Sequence, residues 1–223
     1  APDAALSIGD RYLSLQLWAD AIDAYSKARA LGRAVPALTR RAMALEGAKE
    51  PKKALADLDE AVTLEPESAP ILAARGTLED RLGMIKAAQE DLTRAVRRAP
   101  KDPDILVARA GFFSRQEKPQ LALEDFNLAI DVAPEHAAAY NGRGALRANF
   151  LNETEKALLD LRKAVELKPD DAGFHFNLWM MYMKARSYLQ AVESFDESLA
   201  LKGPASRVLE RRAEAKSLMG DHL

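Results

Sequence analysis

Four arginines and four aspartates at regular intervals, together with three histidines, are the side chains of this 223-residue chain whose type and spacing bear most directly on chemistry. Arg41, Arg75, Arg109 and Arg143 recur every 34 residues, and Asp57, Asp91, Asp125 and Asp160 follow them after 16 or 17 residues. A guanidinium and a carboxylate at a fixed separation either hold each other bidentately or leave a row of arginines to grip an acidic ligand. Where the arginine is replaced, by Ile8 and Leu178, the aspartate is replaced too, by Ala24 and Ser194. This co-occurrence favours an internal bridge that fixes one segment against the next. Pairing with a neighbouring unit fits less well, because Arg41 would then face Ala24 and Asp160 would face Leu178. A buried bridge of this kind sets geometry more than it adds net stability, since desolvation offsets much of the attraction.

The histidines offer little to catalysis. His136, His175 and His222 are far apart and none belongs to a metal-ligand pattern. His136 and His222 read as solvated, and His175 as packed against Trp179 or a neighbour. The chain has no cysteine, which removes disulfides, thiolate nucleophiles and cysteine-based metal sites. No Gly-rich phosphate loop, nucleophile elbow or paired catalytic carboxylate is present. Acidic stretches such as Glu65-Pro66-Glu67 read as solvated turns. No catalytic residue, metal or cofactor is therefore expected.

The elements that position these side chains follow from composition and period. Alanine, the best helix former, makes up about a fifth of the residues, and 32 basic against 34 acidic side chains leave no bulk field for a polyanion. A soluble helical protein follows, with nucleic acid excluded as the main partner. The compartment, cytoplasmic or periplasmic and secreted, is left open. No apolar run is long enough to span a bilayer. The start at Ala1-Pro2-Asp3 reads as a processed or trimmed chain.

Pro66, Pro100, Pro134, Pro169 and Pro204 stand 34, 34, 35 and 35 residues apart. Between them recur Ala54, Ala88, Ala122 and Ala157, then Leu58, Leu92, Phe126 and Leu161, then Ala61, Ala95, Ala129 and Ala164. Each unit holds two amphipathic helices. The first keeps a large, a small and a large residue on one face, as at Leu72, Gly76 and Glu79 or at Leu106, Ala110 and Phe113. The small residue marks close approach of a neighbouring helix. Gly83 suits the turn between the two helices, where positive φ is needed, and Pro51 and Pro119 open second helices.

The period, the small residues Gly9, Ala42, Gly76, Ala110 and Gly144, and the proline column resemble the tetratricopeptide-repeat family over nearly the whole chain. The resemblance implies an all-α, right-handed superhelical solenoid of antiparallel helix pairs, a single domain over 1–223. Its repeats are placed at 2–34, 35–68, 69–102, 103–136, 137–171 and 172–205, with a C-terminal capping helix at 206–220. Three units depart from the pattern. The first lacks its proline. The fifth has an extra residue near Asn152, where Asn152-Glu153-Thr154-Glu155 reads as a helix cap. The sixth places Trp179 where a small residue belongs, which either pushes the last helices apart or fills a gap.

Proteins of this family line a concave surface with first helices and hold peptides or helices of partner proteins there. The resemblance implies the same columns here. Thr39 and Met43 fall in them with Leu6, Asp10, Leu13, Arg40 and Glu46, and Thr77 with Ala73 and Asp80. Val107 and Gly111 follow with Ser114, and Asn141 with Ala145 and Ala148. Phe176, Asn177, Met180 and Met183 come next, then Arg207 and Arg211 with Glu214. The central positions are small and weakly polar, whereas Phe176, Met180 and Met183 form an apolar stripe near basic residues. Methionine adapts to irregular apolar ligands, so a partner segment with apolar anchors and an acidic end would fit. The alternative is that this stripe is core. Some family members clamp a chaperone's terminal carboxylate; Asn177, Arg207 and Arg211 match that pattern, but Asn141 and Ala145 replace its leading Lys and Asn. The function implied is a non-catalytic scaffold or adaptor. The alternative is an assembly component that oligomerises through the solenoid ends or convex face.

Overall fold

A computed structural model of the chain describes residues 2–201. Within that span there are twelve α-helices, one π-helical turn and no strand. The helices run in pairs of similar length: α1 (Pro2–Ser14) with α2 (Trp18–Ala30), α3 (Ala34–Gly47) with α4 (Pro51–Leu64), and α5 (Ala69–Arg81) with α6 (Ile85–Arg98). They continue as α7 (Pro103–Arg115) with α8 (Pro119–Val132), α9 (Ala137–Leu146) with α10 (Thr154–Leu167), and α11 (Ala172–Lys184) with α12 (Tyr188–Ala200). No helix among the described residues is long and apolar enough to cross a membrane. The capping helix expected at 206–220 lies outside the described residues, as do Pro204, Arg207, Arg211, Glu214 and His222.

Two kinds of turn alternate along the chain. Between the first and second helix of every pair, one residue takes a left-handed conformation: Gln16, Lys49, Gly83, Glu117, Asn152 and Arg186, with φ from 52° to 77°. Only one of the six is glycine, the residue for which this conformation carries no steric cost. Three of the turns into first helices, those before α7, α9 and α11, use side-chain caps instead. Asp102 accepts from the N–H groups of Asp104 and Ile105, Asp171 from Gly173 and Phe174, and His136 Nδ1 from Ala139. Each cap satisfies N–H groups that have no partner inside the helix. His136 is thus a cap and not the solvated side chain that the sequence suggests.

The structure divides into two compact units, Ala1–Pro100 and Lys101–Leu223. In the first unit the alanine columns are fully buried, with Ala21, Ala28, Ala54, Ala61, Ala88 and Ala95 each at 0–1% exposure. The small residue on the first helix is dictated by the second helix of its own pair. A methyl group on Gly9 would stand 2.4 Å from the Tyr25 ring, and one on Gly76 would stand 2.9 Å from Leu92 Cγ and 3.2 Å from the Ala88 carbonyl. Neither distance admits a side chain.

The second unit repeats this packing with one interruption. Gly144 meets Leu161 and the Ala157 carbonyl as Gly76 meets Leu92 and Ala88. After Leu146, however, the chain makes a π-helical turn at Arg147–Leu151 that accommodates the extra residue. Asn152 ends it in the left-handed conformation, and α10 begins at Thr154 with Glu153 as the preceding residue. The cap expected at Asn152 is therefore not formed, because Asn152 is spent on the turn. Trp179 fills a local cluster, its ring 5.2 Å from Phe176 and 5.7 Å from Phe195, with Ala191 buried beside it.

Candidate partner-binding face

Each of the four arginines meets the aspartate on the second helix of its own pair through two nitrogens. Arg41 donates from Nε and Nη2 to Asp57, both at 2.7 Å; Arg75 does so to Asp91 at 2.6 and 3.1 Å. Arg109 reaches Asp125 at 2.8 and 2.7 Å, and Arg143 reaches Asp160 at 2.9 and 2.8 Å. In three of them the remaining nitrogen crosses to the preceding second helix: Arg41 Nη1 to Ser26, Arg75 Nη1 to Asp59, and Arg143 Nη1 to Asn127. Sequence reasoning disfavoured pairing between repeats because it tested only the aspartate column. The acceptors stand two residues further on, and their three different residue types hid the pattern. With both edges of the guanidinium engaged, Arg41, Arg75 and Arg143 have no free fork to present to a ligand.

The first-helix face of the first unit is largely self-satisfied. Arg40 pairs with Asp10 at 2.8 Å, and Asp10 also accepts from the Tyr25 hydroxyl at 2.9 Å. Burial and this hydrogen bond push the Tyr25 phenol above its ordinary range. Glu46 pairs with Arg81. Thr39 and Thr77 each return their hydroxyl to the carbonyl four residues earlier. Met43 is the exposed apolar side chain of this set, at 59%.

Beneath that face lies a charge with no counterpart in the sequence reading. Glu79 occupies the second large position of α5, where α3 has Leu45, yet it is buried at 5% exposure. One carboxylate oxygen stands 3.9 Å from Arg75 Nε and the other, Oε2, has no hydrogen-bond partner. Burial, reinforced by the Asp91 carboxylate, pushes Glu79 up to about 7.

The second unit presents a different face. Val107 packs half-buried against Ala110, Phe126 and Leu146. Gly111 is half-buried, and a methyl group there would meet only the flexible end of Arg115. Asn177 Nδ2 donates to Asn141 Oδ1 at 2.9 Å, joining α11 to α9. Phe176 and Met183 are half-buried against the Trp179 and Phe195 cluster, so they are partly core. Met180, at 49%, is exposed. Between Met180 and the π-helical turn lies a cavity of about 70 Å³, floored by Leu161 and Met181 and walled by Ala145 and Ala148. Asn149, Asn177 and Lys184 stand at its edge, and Lys184 Nζ donates to the Ala148 carbonyl.

The π-helical turn also brings a second guanidinium to Asp160. Arg147 Nη1 donates to Asp160 at 2.7 Å and its Nε lies 3.4 Å from Glu153, without a hydrogen bond. His136 Nε2 lies 2.9 Å from Asp104, and His175 Nε2 lies 2.9 Å from the Pro169 carbonyl, so both rings are structural. Glu67, in a stretch that reads as a solvated turn, pairs with Arg94 and Arg98. No group of three or more His, Asp or Glu side chains among the described residues is placed to hold a metal ion.

Comparison with known proteins now bears on these faces. The family model "Tetratricopeptide repeat" matches residues 73–134 and 113–172. No curated protein sequence matches the chain. Among solved structures, a chain of the APC/C hetero-tetramer Cut9-Hcn1 is similar with a TM-score of 0.82 and 20% identity, over 96% of this chain and 42% of that one. This chain thus spans about two fifths of that relative. A tetratricopeptide repeat protein from Parabacteroides merdae is similar with a TM-score of 0.80 and 18% identity, over 96% and 84% of the two chains. The pilF protein of Pseudomonas aeruginosa is similar with a TM-score of 0.71 and 18% identity, over 85% and 86%. These likenesses are of fold.

Proposed function

We propose that this chain, whose residues 73–172 match the tetratricopeptide-repeat family model, is a non-catalytic scaffold or adaptor that holds a peptide or helix of a partner protein. The first-helix face of the second unit is the binding surface. The observation that carries this reading is the contrast between exposed Met180 and its committed surroundings: an unpaired apolar side chain beside an amide pair and a small cavity. Asn141, Asn177 and Met180 supply the contacts, with Val107 and Gly111 continuing the face along α7. Phe176 and Met183, half-buried against the Trp179 and Phe195 cluster, add the edges that they leave exposed. Thr39, Met43 and Thr77 give the first unit a weaker surface of the same kind. Arg207 and Arg211 extend the proposal into residues outside those described. The Arg–Asp pairs from Arg41–Asp57 to Arg143–Asp160 have a structural role.

A panel of immobilised octapeptides, probed with the purified chain and with Met180→Glu, tests this. Binding to a subset of peptides that Met180→Glu loses, with helicity by circular dichroism unchanged, is the expected result. A panel that binds nothing, or that both proteins bind alike, would sink it. The assembly reading has its own observation, because Ile8 of α1 and Leu15 in the turn after it are exposed at 48% and 67%. Light scattering separates the two: a monomer at all concentrations fits the adaptor, and a stable oligomer fits assembly.

A further inference from the structure

We infer that the cavity beside the π-helical turn is a side-chain pocket for a branched aliphatic residue of the partner, and that Lys184 recognises a carboxylate adjoining that residue. This rests on the reading of the second unit's face as a binding surface and names the chemistry it selects.

Three observations converge on it. The first is size. A cavity of about 70 Å³ is roughly half of the ~150 Å³ of an enclosed cavity that binds benzene, a size that suits a short branched aliphatic side chain. Its floor of Leu161 and Met181 and its walls of Ala145 and Ala148 are apolar, and an inserted methyl group would replace missing contacts on each side.

The second is charge. The lining columns of this unit, from Val107 through Met183, contain no carboxylate. Lys184, in the last turn of α11, places its ammonium at the edge of the cavity. There it donates to the Ala148 carbonyl, which belongs to a helix end whose last carbonyls lack intrahelical partners. A ligand carboxylate offers the same ammonium an acceptor that itself carries charge, so the attraction of opposite charges adds to the hydrogen bond. The lysine therefore has a place-holding partner in the free protein and a better one in the complex.

The third is the amide pair. Asn177 donates to Asn141 through Nδ2, which leaves its carbonyl oxygen at the cavity edge to accept an N–H from the ligand backbone. Aliphatic side chain, backbone N–H and carboxylate then meet a pocket, an amide oxygen and an ammonium over the length of two consecutive residues.

The minimal probe is 4-methylpentanoate, which carries the leucine branch and a carboxylate. Its controls are 4-methylpentanamide, which lacks the charge, and acetate, which lacks the branch. Titration into protein labelled at methionine methyl groups should move the Met180 and Met181 signals, with 4-methylpentanoate binding about tenfold tighter than either control, a difference of ~1.4 kcal/mol. The capped peptide Gly-Leu-Asp-Gly should do the same against Gly-Ala-Asp-Gly and Gly-Leu-Lys-Gly. Lys184→Met should abolish the preference for the acid and keep the preference for the branch; Ala145→Leu, which fills the cavity, should do the reverse.

Equal affinities for probe and controls, absence of any shift at Met180 and Met181, or an acid preference that survives Lys184→Met would each overturn the proposal. An octapeptide panel that binds through Met180 without favouring aliphatic–acidic pairs would overturn it alone and leave the broader scaffold reading standing.

Discussion

The two units are built on one packing plan and finish their exposed first-helix faces in opposite ways. In the first, charges on that face are consumed by one another: Arg40 holds Asp10, Arg81 holds Glu46, and two threonines turn their hydroxyls back onto their own helix. In the second, the corresponding columns carry alanine, glycine and asparagine, and a single lysine borders an apolar cavity. The interior obeys the reverse order. Beneath its tidy surface the first unit buries an incompletely paired Glu79, whereas the second adds a surplus arginine, Arg147, to an existing bridge. The exposed face and the interior are thus finished independently, because the columns that pack are not the columns that face outward.

The sharpest break of this comparison is at the bridges. Asp160→Ala takes the carboxylate from both Arg143, which keeps Asn127, and Arg147, and should cost about 3–5 kcal/mol. Asp57→Ala strands only Arg41, which keeps Ser26, and should cost less; equal losses in urea unfolding would mean that Arg147 does not depend on Asp160. Next come the close approaches. Gly76→Ala and Gly144→Ala force a methyl group against Leu92 and Leu161 respectively, and each should cost about 1–3 kcal/mol by overpacking. A large difference between these two would show that the shared packing plan is only superficial.

Glu79 gives the first unit a pH dependence of its own. Its folded-state value of about 7 lies above that of an ordinary glutamate at ~4.3, so the folded state binds its proton more tightly than the unfolded one does. The resulting stabilisation is present at acid pH and is lost as pH rises from about 4.5 through 7. Glu79→Gln should flatten the fall in unfolding midpoint between those values and stabilise the alkaline protein by on the order of 1–2 kcal/mol. An unchanged pH profile in the variant would show that Glu79 is solvated after all. The smallest effects belong to the turns: Gly83→Ala should cost about 1 kcal/mol and Glu117→Gly should gain somewhat less, since both positions have φ above 50°. A melting temperature that moves the other way would mean that side-chain contacts at the turn outweigh its backbone conformation.

Much of the fold was legible because repetition exposes packing. The alanine columns and the small residue facing them are the same instruction written several times, and the family match and the helix pairs agree with it. What could not be read were features that occur once or change residue type. The acceptors Ser26, Asp59 and Asn127 share a geometry and no chemistry, so the column had no signature. His136 looked like a loop residue because its cap and its contact with Asp104 depend on a turn that only coordinates define. On the candidate face, Met180 and Asn177 were found from their columns, whereas Lys184 was not, because it gains its place from the extra residue that makes the π-helical turn.

The three-way reach of the arginines has a consequence for how the protein comes apart. A clasp anchored in two helices of one repeat and one helix of the repeat before it is not released by the fraying of a single helix. Opening must then advance in whole-repeat steps. Hydrogen exchange across α3 and α4, or across α9 and α10, should accordingly rise together, with the protein behaving as a row of coupled blocks whose boundaries are drawn by guanidinium groups.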